Sequence, residues 1–141
     1  KTMGDAYMAV AGIPEASPDH AADMARVALR LRRYLDRRNA AHTRTWDCRI
    51  GIATGPVIGS IVGIQKYVYD IFGPGVNLAA RMEGMSEPMR ITLSSETYDL
   101  IKNDFIFEEQ GFREVKGFGE IEMFFLEGER ERTSIRRENL I

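Results

Sequence analysis

The chain has 141 residues, with 19 Lys+Arg against 21 Asp+Glu and a formal net charge of −2. That length fits one domain with room for a real core, and 44% hydrophobic with 28% charged residues excludes both a disordered and a fibrous chain. The near-neutral balance lacks the basic face that nucleic-acid binding requires, so no nucleic-acid partner is expected.

Thr2 to Ile13 reads as two short strand segments joined around Gly4-Asp5, a dipeptide with turn chemistry. Pro14 to Pro18 is a loop, because two prolines in five residues suit neither a ladder nor a helix interior. Asp19 is placed to cap a helix in which Met24, Val27, Ala28, Leu31 and Leu35 recur at intervals of three and four, an amphipathic stripe. Arg26, Arg30, Arg33 and Arg37 fall mostly off that stripe, on a solvated face. Trp46 to Ala53 alternates as a strand with Cys48, Ile50 and Ile52 on one face. Cys48 is the only cysteine, which rules out an internal disulfide and fits a reducing compartment.

Thr54-Gly55-Pro56 breaks that strand, and extended segments follow over Val57 to Val62 and Tyr67 to Phe72. Gly73-Pro74-Gly75 opens a helix over about Val76 to Met85, with Pro74 in the tolerated first turn. Arg90 to Leu93 is a strand, and Ser94 caps a helix to about Ile101, with Glu96 nearby. Phe105 to Glu109 and Ile121 to Leu126 are further strands. Glu129 to Ile141 is charge-mixed and apolar-poor, a helix or tail leaving the domain. Strands and helices intermingle without strict alternation, which indicates an α+β fold on a largely antiparallel sheet. The longest apolar run, Met8 to Ile13, is far too short to cross a bilayer, and a cytoplasmic location is expected.

Four stretches carry candidate chemistry: Lys1-Thr2-Met3-Gly4-Asp5-Ala6-Tyr7-Met8; Gly51-Ile52-Ala53-Thr54-Gly55-Pro56-Val57 with Ile61-Val62-Gly63; Tyr69-Asp70-Ile71-Phe72 running through Gly73-Pro74-Gly75-Val76-Asn77-Leu78-Ala79-Ala80-Arg81-Met82-Glu83; and Val115-Lys116-Gly117-Phe118-Gly119-Glu120. Singly, each has an ordinary explanation. Asp5 beside glycine suits a turn, Asn77 and Arg81 four apart share a helix face, and a lysine before Gly-x-Gly is common in loops. In this order, together, they resemble the catalytic domain of the class III nucleotidyl cyclases, the adenylyl and guanylyl cyclase family, from Lys1 to about Leu126.

The resemblance implies a ferredoxin-like antiparallel sheet flanked by helices, with a catalytic domain over residues 1–128 and a charged tail over 129–141. It implies attack of the ribose 3′-hydroxyl on the α-phosphate of ATP, giving 3′,5′-cyclic AMP and pyrophosphate. Two Mg²⁺ ions, replaceable by Mn²⁺, would be held by two aspartates, and Asp5 matches the second of them. The first lies in the family in an upstream Phe-x-Asp-Ile-x-Gly-Phe stretch, expected before Lys1. Lys1 and Asp70 match the purine-reading positions. A lysine donates and an ionised aspartate accepts, which complements adenine N1 and its N6 amino group rather than guanine. Asn77 and Arg81 match the pair that orients the ribose and neutralises developing phosphate charge, and Lys116 matches the lysine that reaches the terminal phosphates.

Two departures stand out: Phe118 replaces a second lysine in the usual Lys-Gly-Lys-Gly, and Pro74-Gly75 replaces polar residues. The family builds its site between two catalytic domains, so a head-to-tail homodimer is implied, with an upstream regulatory or membrane module in the intact protein. A non-catalytic, nucleotide-binding partner domain of a cyclase is the alternative, distinguished by the residue at the upstream metal position.

Overall fold

The computed structural model describes residues 2–13, 15–62 and 68–131, the side chains of residues 3, 60–62 and 68–70 excepted. Lys1, Pro14, Gly63, Tyr67 and residues 132–141 lie outside the described residues. Two short strands, β1 (Thr2–Met3) and β2 (Ala6–Tyr7), pair antiparallel across the Gly4-Asp5 turn, as their spacing predicts. The turn is left-handed at Gly4, with φ of 61°.

Helix α1 (His20–Ala41) follows, and its position differs from the stripe predicted for it. Ala21, Ala25, Ala28, Leu29 and Leu35 are buried, whereas Val27 and Leu31 remain 51% and 45% exposed. The helix presents its row of alanines to the sheet, which brings its axis close, and the larger Val27 and Leu31 rotate outward. Asp19 holds the N-cap position without a side-chain capping bond. Its N–H instead donates to Ser17 Oγ at 3.2 Å. The strand predicted over Trp46 to Ala53 shrinks to β3 (Ile50–Ile52). Trp46 is diverted because its N–H donates to Asn39 Oδ1 at 2.9 Å and its carbonyl accepts from Asn39 Nδ2 at 2.8 Å. The Arg38 guanidinium lies 3.7 Å from its ring centroid. A side chain of α1 thus satisfies the backbone that a neighbouring strand would otherwise bond.

Strands β4 (Ile58–Val62) and β5 (Val68–Phe72) form an antiparallel hairpin separate from the main sheet, with Ser60 opposite Asp70. Helix α2 runs Pro74–Gly84, beginning two residues earlier than its apolar pattern indicates because Pro74 enters the first turn. Strand β6 (Ile91–Ser94) leads into the short helix α3 (Ser95–Ile101). Ser94 occupies the cap position without making the capping bond, and its buried hydroxyl has no partner among the described residues. Of the last two strands, β7 (Phe105–Val115) begins where expected and runs on past Glu109, β8 (Gly119–Glu129) exceeds both expected limits, and the two close into one hairpin. Glu129, expected in the tail, still belongs to this ladder and binds Arg26 at 2.9 Å, while the Arg130 N–H donates to the Asp104 carbonyl.

The main sheet has the order β3-β6-β8-β7. The β6–β8 and β7–β8 pairs are antiparallel as expected, but β3 runs parallel to β6, so the sheet is mixed. Parallel neighbours require a crossover on one face, and α2, lying between β3 and β6 in the chain, supplies it. Both faces are covered. Ala25, Leu29, Ile91, Leu93, Phe105, Phe124 and Leu126 join α1 and α3 to one side of the sheet. Leu78, Met82, Val115 and Met123 join α2 to the other. Residues 123–126 of β8 are consequently buried without a break, as befits a central strand packed on both faces.

Candidate active site

The placement of α2 decides where its polar residues point, and two glycines determine it. A Cβ on Gly51 of β3 would stand 2.1 Å from the Glu83 amide nitrogen and 2.4 Å from the Ala79 carbonyl oxygen. Only glycine lets the helix backbone lie directly on the strand there. At the start of the helix, Gly73 adopts φ of 132°, and a Cβ there would meet the Pro56 carbonyl oxygen at 2.9 Å. The Gly75 N–H donates to that same carbonyl at 2.9 Å, and the Asn77 N–H to the Gly73 carbonyl at 3.1 Å.

With Leu78 and Met82 committed to the buried side, Asn77 and Arg81 are exposed on the adjoining face, one turn apart. The β7–β8 turn brings the third group. Lys116, Gly117 and Phe118 form its tip, closed by the Phe118 N–H donating to the Val115 carbonyl at 2.9 Å. Gly117 and Gly119 take φ of 87° and 73°. Asn77, Ala80 and Arg81 from the helix face Lys116, Gly117 and Phe118 from the turn across a cleft of about 490 Å³. Residues nearly forty positions apart, singled out in separate motifs, therefore line one cavity.

Asn77, Arg81 and Lys116 make no side-chain hydrogen bond or ion pair among the described residues. Two cations and an amide without side-chain partners among the described residues converge on one cleft of a chain whose net charge is −2, a donor set chemically suited to an anion with several oxygens. A larger cavity of about 700 Å³ lies elsewhere, between residues 8–13, the start of α1 and the contact of β3 with α2. Its lining is apolar apart from groups such as Ser17, His20 and Thr54, so the chemistry gathers in the smaller cleft.

The other predicted residues stand apart. Asp5 is exposed on the β1–β2 turn and does not line the cleft. No group of three His, Cys, Asp or Glu side chains able to hold a metal occurs among the described residues. A single exposed carboxylate is a suitable ligand for a hard cation, but it does not form a two-ion site unaided. Asp70 lies in β5 four residues before Pro74, with its side chain outside the described set, and Lys1 is outside it altogether. Phe118 enters the site as a residue whose sequence signal was only a departure from a lysine pattern. Its apolar character between two glycines is the one local clue to burial.

Comparison with known proteins places this geometry in context. The profile of the adenylate and guanylate cyclase catalytic domain matches residues 1–128. The adenylate cyclase of Mycobacterium bovis is 36% identical over 128 residues, covering 91% of this chain and 29% of its own length. A receptor-type guanylate cyclase of Drosophila melanogaster is also 36% identical, over 137 residues, covering 93% of this chain and 9% of its own. The chain thus spans less than a third of either protein. Among solved structures, the guanylate cyclase domain of RhGC from Catenaria anguillulae in complex with GTP superposes with a TM-score of 0.85 at 32% identity, over 92% of this chain and 71% of that one. No helix among the described residues is long and apolar enough to cross a membrane.

Proposed function

We propose a substrate and a chemistry for this chain on one premise: it belongs to the adenylate and guanylate cyclase catalytic-domain family. The reaction is the conversion of ATP to 3′,5′-cyclic AMP and pyrophosphate. The observation that carries it is the convergence of Asn77, Arg81 and Lys116, unpartnered among the described residues, on one cleft. A nucleoside triphosphate is the ligand whose ribose hydroxyls and terminal phosphates match one amide and two cations spread over two elements.

The ribose 3′-hydroxyl gives up its proton to solvent and its oxygen bonds to the α-phosphorus as the bond to the β,γ-pyrophosphate breaks. Asn77 holds the ribose so that its hydroxyl is aligned with the phosphorus. Arg81 donates to phosphate oxygens, where charge grows toward the leaving group. Lys116 binds the terminal phosphates and stabilises the departing pyrophosphate as a point charge on a flexible stem. Asp5 would supply one carboxylate to Mg²⁺ or Mn²⁺, which when bound neutralises phosphate charge and acidifies the attacking hydroxyl. Because Asp5 does not line the cleft, the economical arrangement is a head-to-tail dimer in which one copy offers Asp5 to the cleft of the other.

Base choice rests on Lys1 and Asp70, since relatives of equal identity include adenylate and guanylate cyclases. Lysine donating to adenine N1 and aspartate accepting from its amino group leave guanine with donor facing donor and acceptor facing acceptor. Such mismatches cost about 10³-fold or more in selectivity, because buried polar groups go unpaired. The test is cyclic nucleotide formation by the full-length protein with Mn²⁺ and either ATP or GTP. Cyclic AMP is expected from the wild type, and Lys1→Glu with Asp70→Cys should lower ATP use and admit GTP. Preferential cyclic GMP formation by the wild type overturns the adenine assignment. Absence of both products overturns the catalytic one.

A further inference from the structure

Phe118 is the one large apolar side chain that lines the cleft, and it packs against a cluster to which both halves of the cleft contribute. Its ring is half-buried and packs on the cluster formed by Leu78 and Met82 of α2 with Val115 and Met123 of the hairpin. Leu78 and Met82 directly follow Asn77 and Arg81, so the cluster on which the ring packs includes the helical turns that carry those two groups. Its backbone N–H closes the turn on Val115. Lys116 lies two residues away, exposed and without a side-chain partner among the described residues.

A hairpin tip with glycines at two of five positions is intrinsically loose. Within Val115-Lys116-Gly117-Phe118-Gly119, Val115 is a buried member of the cluster shared with α2, and Phe118 is the residue beyond it whose side chain packs on that cluster. We propose that Phe118 is a positioning residue, an aromatic wedge that docks the β7–β8 turn onto α2 and thereby holds Lys116 at a set distance from Asn77 and Arg81. The inference rests on reading the cleft as a triphosphate site. Its consequence is preorganisation: the lysine does not have to be recruited from a mobile loop when the terminal phosphates arrive.

The test is a double-mutant cycle on affinity, measured by titration calorimetry on the full-length protein with 3′-deoxy-ATP, which binds but cannot cyclise. Phe118→Ala should weaken binding by roughly 10-fold through the lost preorganisation, with Phe118→Leu intermediate because it keeps part of the wedge. Lys116→Ala should weaken binding by at least as much, and the double variant no further than Lys116→Ala alone, since the ring acts through the lysine. Affinity for AMP, which lacks the terminal phosphates, should be the same in Phe118→Ala as in the wild type. Wild-type 3′-deoxy-ATP affinity in both Phe118 variants, multiplying losses in the cycle, or equal weakening of AMP overturns the positioning role while leaving the site intact. If Phe118→Ala does not fold, the same comparisons with Phe118→Leu decide. If Lys116→Ala binds 3′-deoxy-ATP like the wild type, the reading of the cleft fails and the inference falls with it.

Discussion

Replacing Gly51 by alanine is the smallest change that should disturb the site from a distance. The added methyl would meet the Glu83 nitrogen at 2.1 Å, the Ala79 oxygen at 2.4 Å and the Met82 carbonyl carbon at 2.7 Å, all of them backbone atoms of α2. No side chain can swing aside, so the helix must withdraw from β3 by roughly 1 Å to restore ordinary contact, an overpacking strain that typically costs 1–3 kcal/mol. For a domain of this size that corresponds to a fall in Tm of about 2–4 °C per kcal/mol. The same withdrawal moves Asn77 and Arg81, whose helix it is, and a displacement of about 1 Å at a positioning group can lower turnover by about 10²-fold. Thermal unfolding followed by circular dichroism and cyclase assays on the same preparation measure both. A Gly51→Ala protein that melts with the wild type and turns over at the same rate would refute the claim that backbone contact at Gly51 sets the cleft.

Two further expectations follow from the same structure. Arg81→Ala should lower kcat by about 10²–10³ with a change in unfolding free energy within about 0.5 kcal/mol, because the side chain is exposed and has no partner among the described residues; equal losses of stability and rate would make it a structural residue. The Arg90 guanidinium, bonded to Glu108 at 2.8 Å, holds that carboxyl below its ordinary range. The pair therefore stabilises the fold above the ordinary carboxylate pKa and loses that contribution as pH falls through the lowered value. Urea midpoints of wild type and Glu108→Gln should differ slightly at pH 7 and converge on acidification below the carboxylate range, and a gap that widens on acidification would contradict the sign.

Local chemistry made parts of the fold legible. Gly4-Asp5 specifies a turn, Pro74 specifies the first turn of a helix, and the alternation around Ile91 and the short apolar run around Phe124 specify strands, because each depends on the preferences of nearby residues. The buried face of α1 was legible only in part, with Ala28 and Leu35 of the expected stripe buried. Its periodicity admits Val27 and Leu31 or Ala21 and Ala25 as the inner row, and close approach to the sheet selects the alanines. The length of β3 was likewise hidden, because Asn39, seven residues upstream, takes both backbone groups of Trp46. The parallel pairing of β3 with β6 depends on the crossover through α2, a property of the whole chain path rather than of either strand.

The candidate site divides in the same way. The residue types were readable as a set in the sequence: an amide and a guanidinium four apart on a helix, a lysine before a glycine turn, and a carboxylate on another turn. Their spacing along the chain shows which residues could share a face, since a helix repeats every 3.6 residues. It cannot show that Lys116 meets Arg81, because that depends on how far two long strands carry their shared turn and how closely α2 can approach β3. Those distances arise from packing: Gly51 admits the helix and Phe118 seats the turn. The sequence by itself determined the chemistry available to this protein. Tertiary structure alone decided that two cations and an amide would face one another across a single cleft while Asp5 stood apart, because side chains distant in the chain acquire a common geometry only when the core between them is filled.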